Sequence, residues 1–202
     1  MQYIYGPKIQ PTKIIAGAVY IYEGASKNWR NIIENVEKEV AIKDSGVNYE
    51  LAVTLNGEWA GKRRNKIMRV TTLGHQGNET CRQIHNDFGL LLEEHLKSYT
   101  TDFECSYGEH EGYGLLKYEG TTSDHYDAHY DGGPNNGRWI SAILYLNDDY
   151  EGGELEFVAF GQTYKPKAGT LVIFPSNYAY THVAHPVTSG TKYALVTWIN
   201  GS

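Results

Sequence analysis

Apolar positions along this chain follow two different periods, and the change comes near the middle. In the first hundred residues two stretches carry a helical period. Trp29, Ile32, Ile33, Val36 and Val40 fall on one face of a helix predicted over Ser26–Lys43, which Asp44-Ser45-Gly46 stops. Cys81, Ile84, Phe88, Leu91, Leu92 and Leu96 mark a second helix over Asn78–Tyr99. Strands are expected at Ile14–Tyr22 and Tyr49–Leu55. From about Tyr113 the pattern becomes a series of short apolar runs broken by Gly, Pro and Asn. They read as strands at Gly114–Glu119, Tyr126–Asp131, Arg138–Leu146, Glu154–Phe157, Thr163–Lys165, Thr170–Phe174, His182–Val187 and Lys192–Ile199. Short strands at this spacing predict a barrel or a two-sheet jelly roll. The two helices would pack on one outer face. The expected class is α+β, mainly β: a jelly-roll core over residues 113–200 with supporting N-terminal strands and helices in 1–112, all one domain.

One stretch resists this division. Gly57–Asn78 holds Lys62, Arg63, Arg64, Lys66 and Arg69 against a single acid, Glu58. A loop of that length is uncommon inside a compact domain. It reads either as a solvated basic loop or as a mobile lid, with a short strand at Ile67–Thr71.

Composition narrows the class. A chain of 202 residues, 41% hydrophobic and 21% charged, is not disordered, collagenous or a multi-span membrane protein. Tyrosine supplies 17 of the residues, against 4 Trp and 5 Phe, which again favours strands and semi-polar pockets. Two cysteines, Cys81 and Cys105, make no disulfide framework and fit a reducing, cytoplasmic setting. Residues 101–202 carry 5 basic and 13 acidic groups, so that half is strongly negative and sets the sign of the chain's net charge of −6. An acidic half argues against a nucleic-acid partner there and suits a cation. Ile14–Tyr22 is too short to span a bilayer, and Tyr20-Ile21-Tyr22 favours a strand over a signal peptide, so no membrane partner is expected.

The acidic half also holds the chemistry. In His129-Tyr130-Asp131 an imidazole and a carboxylate two residues apart face the same way on a strand. His125-Tyr126-Asp127 has the same form and the same parity, so strand geometry alone does not choose between them. A third ligand would come from His182 or His185. Two histidines and one carboxylate form the facial triad of non-haem iron(II) oxygenases, which leaves coordination positions open. On the last strand Lys192, Ala194, Val196 and Trp198 share one face, as a pocket wall would.

Several motifs in order then carry a specific resemblance. Tyr126-Asp127-Ala128-His129-Tyr130-Asp131 places a tyrosine three residues before His-x-Asp. Gly137-Arg138 leads into Tyr145-Leu146-Asn147, and Gly152-Gly153 turns into the next strand. Pro166-Lys167-Ala168-Gly169 opens a strand ending at Phe174. His182-Val183-Ala184-His185-Pro186-Val187 fits His-x-x-x-Pro-Val, with Lys192 ten residues after His182 and Trp198 six further on. From Tyr113 to Asn200 the chain resembles the prolyl 4-hydroxylase-like branch of the 2-oxoglutarate/iron(II) dioxygenases, more the compact bacterial, viral or oxygen-sensing type than the collagen type. The N-terminal hundred residues match only loosely.

The resemblance implies roles. His129, Asp131 and His182 would bind iron(II), and His185 would be a neighbour. Lys192 would pair with the distal carboxylate of 2-oxoglutarate, with hydroxyl donation from Tyr145 and Tyr118. Trp198 would wall that pocket, and Arg138 and Tyr126 would meet substrate. The implied reaction consumes O2, with ascorbate as reductant, and hydroxylates a prolyl residue of a peptide or protein with release of succinate and carbon dioxide. Three other readings stay open: the same cofactors acting on a free amino acid, lysyl residue or base; a non-catalytic jelly-roll module; and a zinc hydrolase. Cys81 reads as core, His85 as exposed, and His75, His95 and His110 as lacking convergent partners. Oligomeric state is left open.

Overall fold

The computed structural model describes residues 8–43, 45–52, 61–133 and 136–202. In chain order these form β1 (Lys13–Ile15), β2 (Val19–Tyr22), α1 (Trp29–Ala41), β3 (Glu50–Leu51), β4 (Arg63–Arg64), β5 (Lys66–Arg69), α2 (Val70–His75) and α3 (Glu79–Asp102). There follow β6 (Gly114–Glu119), β7 (His125–His129), β8 (Arg138–Tyr145), β9 (Glu151–Gly152), β10 (Leu155–Phe157) and β11 (Gln162–Tyr164). The last are β12 (Thr170–Pro175), β13 (His182–Ala184), β14 (Val187–Ser189) and β15 (Thr191–Asn200).

Eight strands form one sheet in the order β1-β2-β12-β8-β15-β6-β5-β3, and five form a second in the order β11-β10-β13-β7-β4. Every pairing is antiparallel. The larger sheet is buried on both faces along its central strands, which is why β8, β12 and β15 read as nearly continuous apolar runs. Alternation assigns each face. Leu144, Leu171, Ile173 and Leu195 pack outward against Ile32 and Val36 of α1 and Ile84, Phe88 and Leu92 of α3. Tyr145, Val172, Phe174 and Ala194 point inward to Leu155 and Phe157 of the smaller sheet. This is the jelly roll the strand spacing predicts, with both long helices on one outer face. No helix among the described residues is long and apolar enough to cross a membrane.

Three local expectations are corrected. Ile14–Tyr22 is a hairpin, not one strand, because Ala16 and Gly17 take left-handed φ values of 50° and 74° and reverse the chain. The stretch His182–Val187 splits into β13 and β14 at His185-Pro186, where proline has no N–H for the ladder; β13 pairs with β10 and β7, β14 with β9. Residues 61–78 are not a free loop. β4 pairs with β7, β5 with β3 and β6, and α2 packs on α3. A β-branched run, Val70-Thr71-Thr72, favours strand by propensity. Burial of Val70 and the close approach of Gly74 to the Arg82 backbone hold it helical instead. Residues 53–60, which include Gly57–Ala60 of the expected lid and the end of the expected strand Tyr49–Leu55, lie outside the described residues.

Candidate functional site

Strand register brings the three predicted ligands together. His129 closes β7 and faces His182, the first residue of β13, directly across the ladder. Asp131 follows two residues later. Nε2 of His129 lies 3.8 Å from one Asp131 carboxylate oxygen, and Nε2 of His182 lies 3.8 Å from the other. The three ligand atoms all fall within 4.8 Å of one another, and no other group among the described residues is so arranged. Nδ1 of His129 meets the Asp127 carbonyl at 2.7 Å, and Nδ1 of His182 meets the Tyr180 carbonyl at 3.0 Å. A carbonyl only accepts, so each Nδ1 carries the proton and donates, and each Nε2 lone pair is left for the cluster.

The carboxylate is equally well held. Ser141 Oγ donates to Asp131 at 2.6 Å and contacts Ser176 Oγ at 2.8 Å. Burial pushes the Asp131 carboxyl up, but His182, His129 and the Ser141 hydrogen bond outweigh it and keep the group below its ordinary range. Burial, with His182 next, pushes His129 far below the usual imidazole range. Two imidazoles and one carboxylate on one side of a point fit a divalent first-row metal, iron(II) among them.

The same cavity holds Lys192, which is 2% exposed. Its Nζ donates to the Gly153 carbonyl at 2.7 Å and lies 5.1 and 5.2 Å from the ring centroids of Tyr118 and Tyr145. Burial, with help from Lys165, pushes its ammonium down to about 7. A buried cation with no paired carboxylate is costly unless a ligand completes it. Burial pushes the Tyr118 phenol up to about 12 and raises Tyr145 well above the ordinary value, so both hydroxyls stay protonated donors. Ile143, Val196 and Trp198 complete the wall, with the buried indole N–H of Trp198 turned toward Asp131.

The other predicted residues fall as follows. Tyr126 lies in the cavity, its ring stacked on His129 at 3.4 Å. Arg138 spends its fork on Glu111, at 2.8 and 2.5 Å, and lies 3.8 Å from the Trp198 ring. His125 contacts the carbonyls of Ser123 and Gly61 at the strand edge, and His185 binds Glu156 at 2.7 Å; neither joins the cluster. His85 is half-buried, not exposed. Its ring lies 5.6 and 5.9 Å from those of His75 and His110, so these three do converge, though outside ligand range of a common ion. His95 packs on Tyr22. Arg63 is the cavity residue that sequence reasoning leaves in a loop. Five basic residues in one stretch carry no signal saying which of them turns inward.

Comparison with known proteins agrees with this geometry. Residues 113–200 match the family model described as 2OG-Fe(II) oxygenase superfamily. Over 64 residues the chain is 41% identical to a PKHD-type hydroxylase of Synechococcus sp., a match covering 30% of this chain and 28% of that protein. The chain therefore spans well under two thirds of the curated relatives it matches. A Trichoplax adhaerens prolyl hydroxylase, solved in complex with a hypoxia inducible factor oxygen degradation domain peptide fragment, superposes with a TM-score of 0.70 at 18% identity, over 92% of this chain and 84% of that one. A Pseudomonas putida prolyl-4-hydroxylase gives 0.64 at 19% identity, over 92% and 93%. The structural likenesses establish the fold, which this chain shares with prolyl hydroxylases, and residues 113–200, somewhat under half of the chain, are the part similar to the 2OG-Fe(II) oxygenase superfamily.

Proposed function

We propose that this protein is a 2-oxoglutarate- and iron(II)-dependent dioxygenase that hydroxylates prolyl residues of a peptide or protein. The observation that carries this reading is Lys192, a buried cation with no carboxylate partner among the described residues, sharing one cavity with a three-ligand cluster. His129, Asp131 and His182 hold the metal in this reading. Lys192 receives the distal carboxylate of 2-oxoglutarate by a charge-assisted hydrogen bond, and Tyr145 and Tyr118 turn their hydroxyls to the same molecule. Bound iron(II) supplies the oxidation by O2 that converts an aliphatic C–H to C–OH while 2-oxoglutarate becomes succinate and carbon dioxide. Apolar walls at Leu116, Ile143, Leu155 and Val196 exclude water from the cosubstrate end. Trp198 forms the wall beside Asp131, and Tyr126 holds the substrate side by stacking on His129.

A peptide substrate is supported by a groove beside the site. Arg138 lines it together with the exposed rings of Tyr130, Trp139 and Tyr178. The Arg138–Glu111 pair favours keeping a second reading, because the fork expected for a peptide carbonyl is already engaged. In that reading the cofactors are the same and the target is a free amino acid, a lysyl side chain or a base. We read residues 1–202 as one domain. Its free cysteines support a cytoplasmic setting.

The test is incubation of the full chain with iron(II), ascorbate and 2-oxoglutarate, with and without proline-containing peptides. Peptide-stimulated succinate with one oxygen atom added to proline is expected. Succinate that no proline peptide stimulates would move the account to the second reading.

A further inference from the structure

The basic stretch before α2 sends one of its cations inward. Arg64 pairs with Asp124 at 3.4 Å, Lys66 with Glu119 at 2.6 Å and Arg69 with Glu50 at 2.6 Å. Among the described residues no carboxylate pairs with Arg63, although that side chain is 9% exposed and lines the cavity of the three ligands and Lys192. Its placement is built. β4 pairs Arg63 with Tyr126 of β7. Nε donates to Oδ1 of Asn65, itself 1% exposed, at 2.7 Å. That bond orients the guanidinium, which also stands within hydrogen-bonding reach of the Tyr126 phenol, so among the described residues its neighbours are neutral groups and none is a carboxylate. The guanidinium carbon lies 4.5 Å from the Tyr126 ring centroid, and that ring stacks on His129, so Arg63 stands one ring away from a predicted metal ligand.

A guanidinium cannot shed its charge to relieve burial. In the proposed reading Lys192 would be matched by one carboxylate of 2-oxoglutarate, and Asp131 with the other carboxylate would offset the metal's charge. Arg63 then remains as the uncompensated charge of the loaded cavity, which costs free energy until an anion meets it.

We propose that Arg63 is a substrate anchor that takes a carboxylate of the substrate by a forked pair of hydrogen bonds, so that oxidation falls on a carbon close to an acidic group. This rests on the reading of the cavity as the oxidation site and narrows its substrate class. The carboxylate belongs either to an acidic side chain flanking the target or to the α-carboxylate of a chain end or free amino acid.

The test is calorimetric binding to the full chain loaded with manganese(II) and 2-oxoglutarate. The probes are matched pairs: N-acetylproline and N-acetylalanine as free acids and as methylamides, and short peptides containing Pro-Asp or Pro-Asn. Wild type is expected to prefer the acid of a pair by about tenfold. Arg63→Gln is expected to lose that preference while its 2-oxoglutarate affinity holds. A preference in the peptides alone assigns the side-chain source, and one in the small acids alone assigns the α-carboxylate. Proline against alanine tests the prolyl reading separately, since the acid preference is compared at constant side chain. Arg63→Lys keeps the charge without the fork and is expected to keep a reduced preference; it also serves if Arg63→Gln fails to fold, which thermal melting reports. No acid preference in wild type, a preference that survives Arg63→Gln in a folded chain, loss of 2-oxoglutarate binding instead, or no binding of any probe would overturn the proposal.

Discussion

At the scale of single residues the site depends on groups that orient other groups. Ser141 touches no predicted ligand except Asp131, yet its 2.6 Å hydrogen bond fixes which way that carboxylate faces. Partners of this kind typically contribute 10–100-fold in metal affinity. Ser141→Ala is therefore expected to weaken metal binding by about that factor with little change in melting temperature, as metal titration followed by calorimetry would show; unchanged affinity would remove Ser141 from the site. Lys192 gives a pH signature. Its ammonium falls from the ordinary 10.5 to about 7 on folding, because burial disfavours the charge. Between those values the unfolded chain binds the additional proton, so stability rises with pH across that window. Ligand-free protein is expected to melt progressively higher from about pH 7 to pH 10 relative to Lys192→Met. Parallel curves for the two proteins would contradict the assignment of an unpaired buried ammonium.

At the scale of elements, local signals and packing share control. Asn78 caps α3, its side-chain oxygen accepting from the Cys81 N–H at 2.8 Å. Asn78→Ala is expected to cost about 1 kcal/mol in denaturant unfolding; a change near zero would mean that packing of Phe88 and Leu92 alone sets the start of that helix. The long helices and core strands were legible in the sequence because their apolar periods are the ones their packing uses: Ile84, Phe88 and Leu92 do face the sheet, and Lys192, Ala194, Val196 and Trp198 do share one side of β15. What was not legible depends on contacts remote in sequence. Val70-Thr71-Thr72 is helical only because Val70 is buried and Gly74 meets α3. His125 and His129 have the same strand parity, and only the pairing of His129 with His182 separates them. Arg63 and Arg64 are neighbours of identical charge, yet strand alternation sends one to the cavity and the other to Asp124.

At the scale of the whole molecule the charge distribution divides between surface and interior. The second half of the chain is strongly acidic, but among the described residues the cavity it shares with β4 holds Lys192 and Arg63 against a single carboxylate, Asp131. Such an interior suits anions around one metal, whatever the net charge outside. One wall is formed by β6, β8 and β15 of the sheet that is covered on both faces, which gives the site a rigid base. The measurement that bears most directly on this account is iron(II)-dependent formation of succinate from 2-oxoglutarate by the full chain, run beside Asp131→Ala and Lys192→Met. The account predicts succinate from wild type only when iron(II) is present, and none above background from either folded variant. Wild type that binds iron(II) yet forms no succinate, or an Asp131→Ala protein that forms it at the wild-type rate, would contradict it.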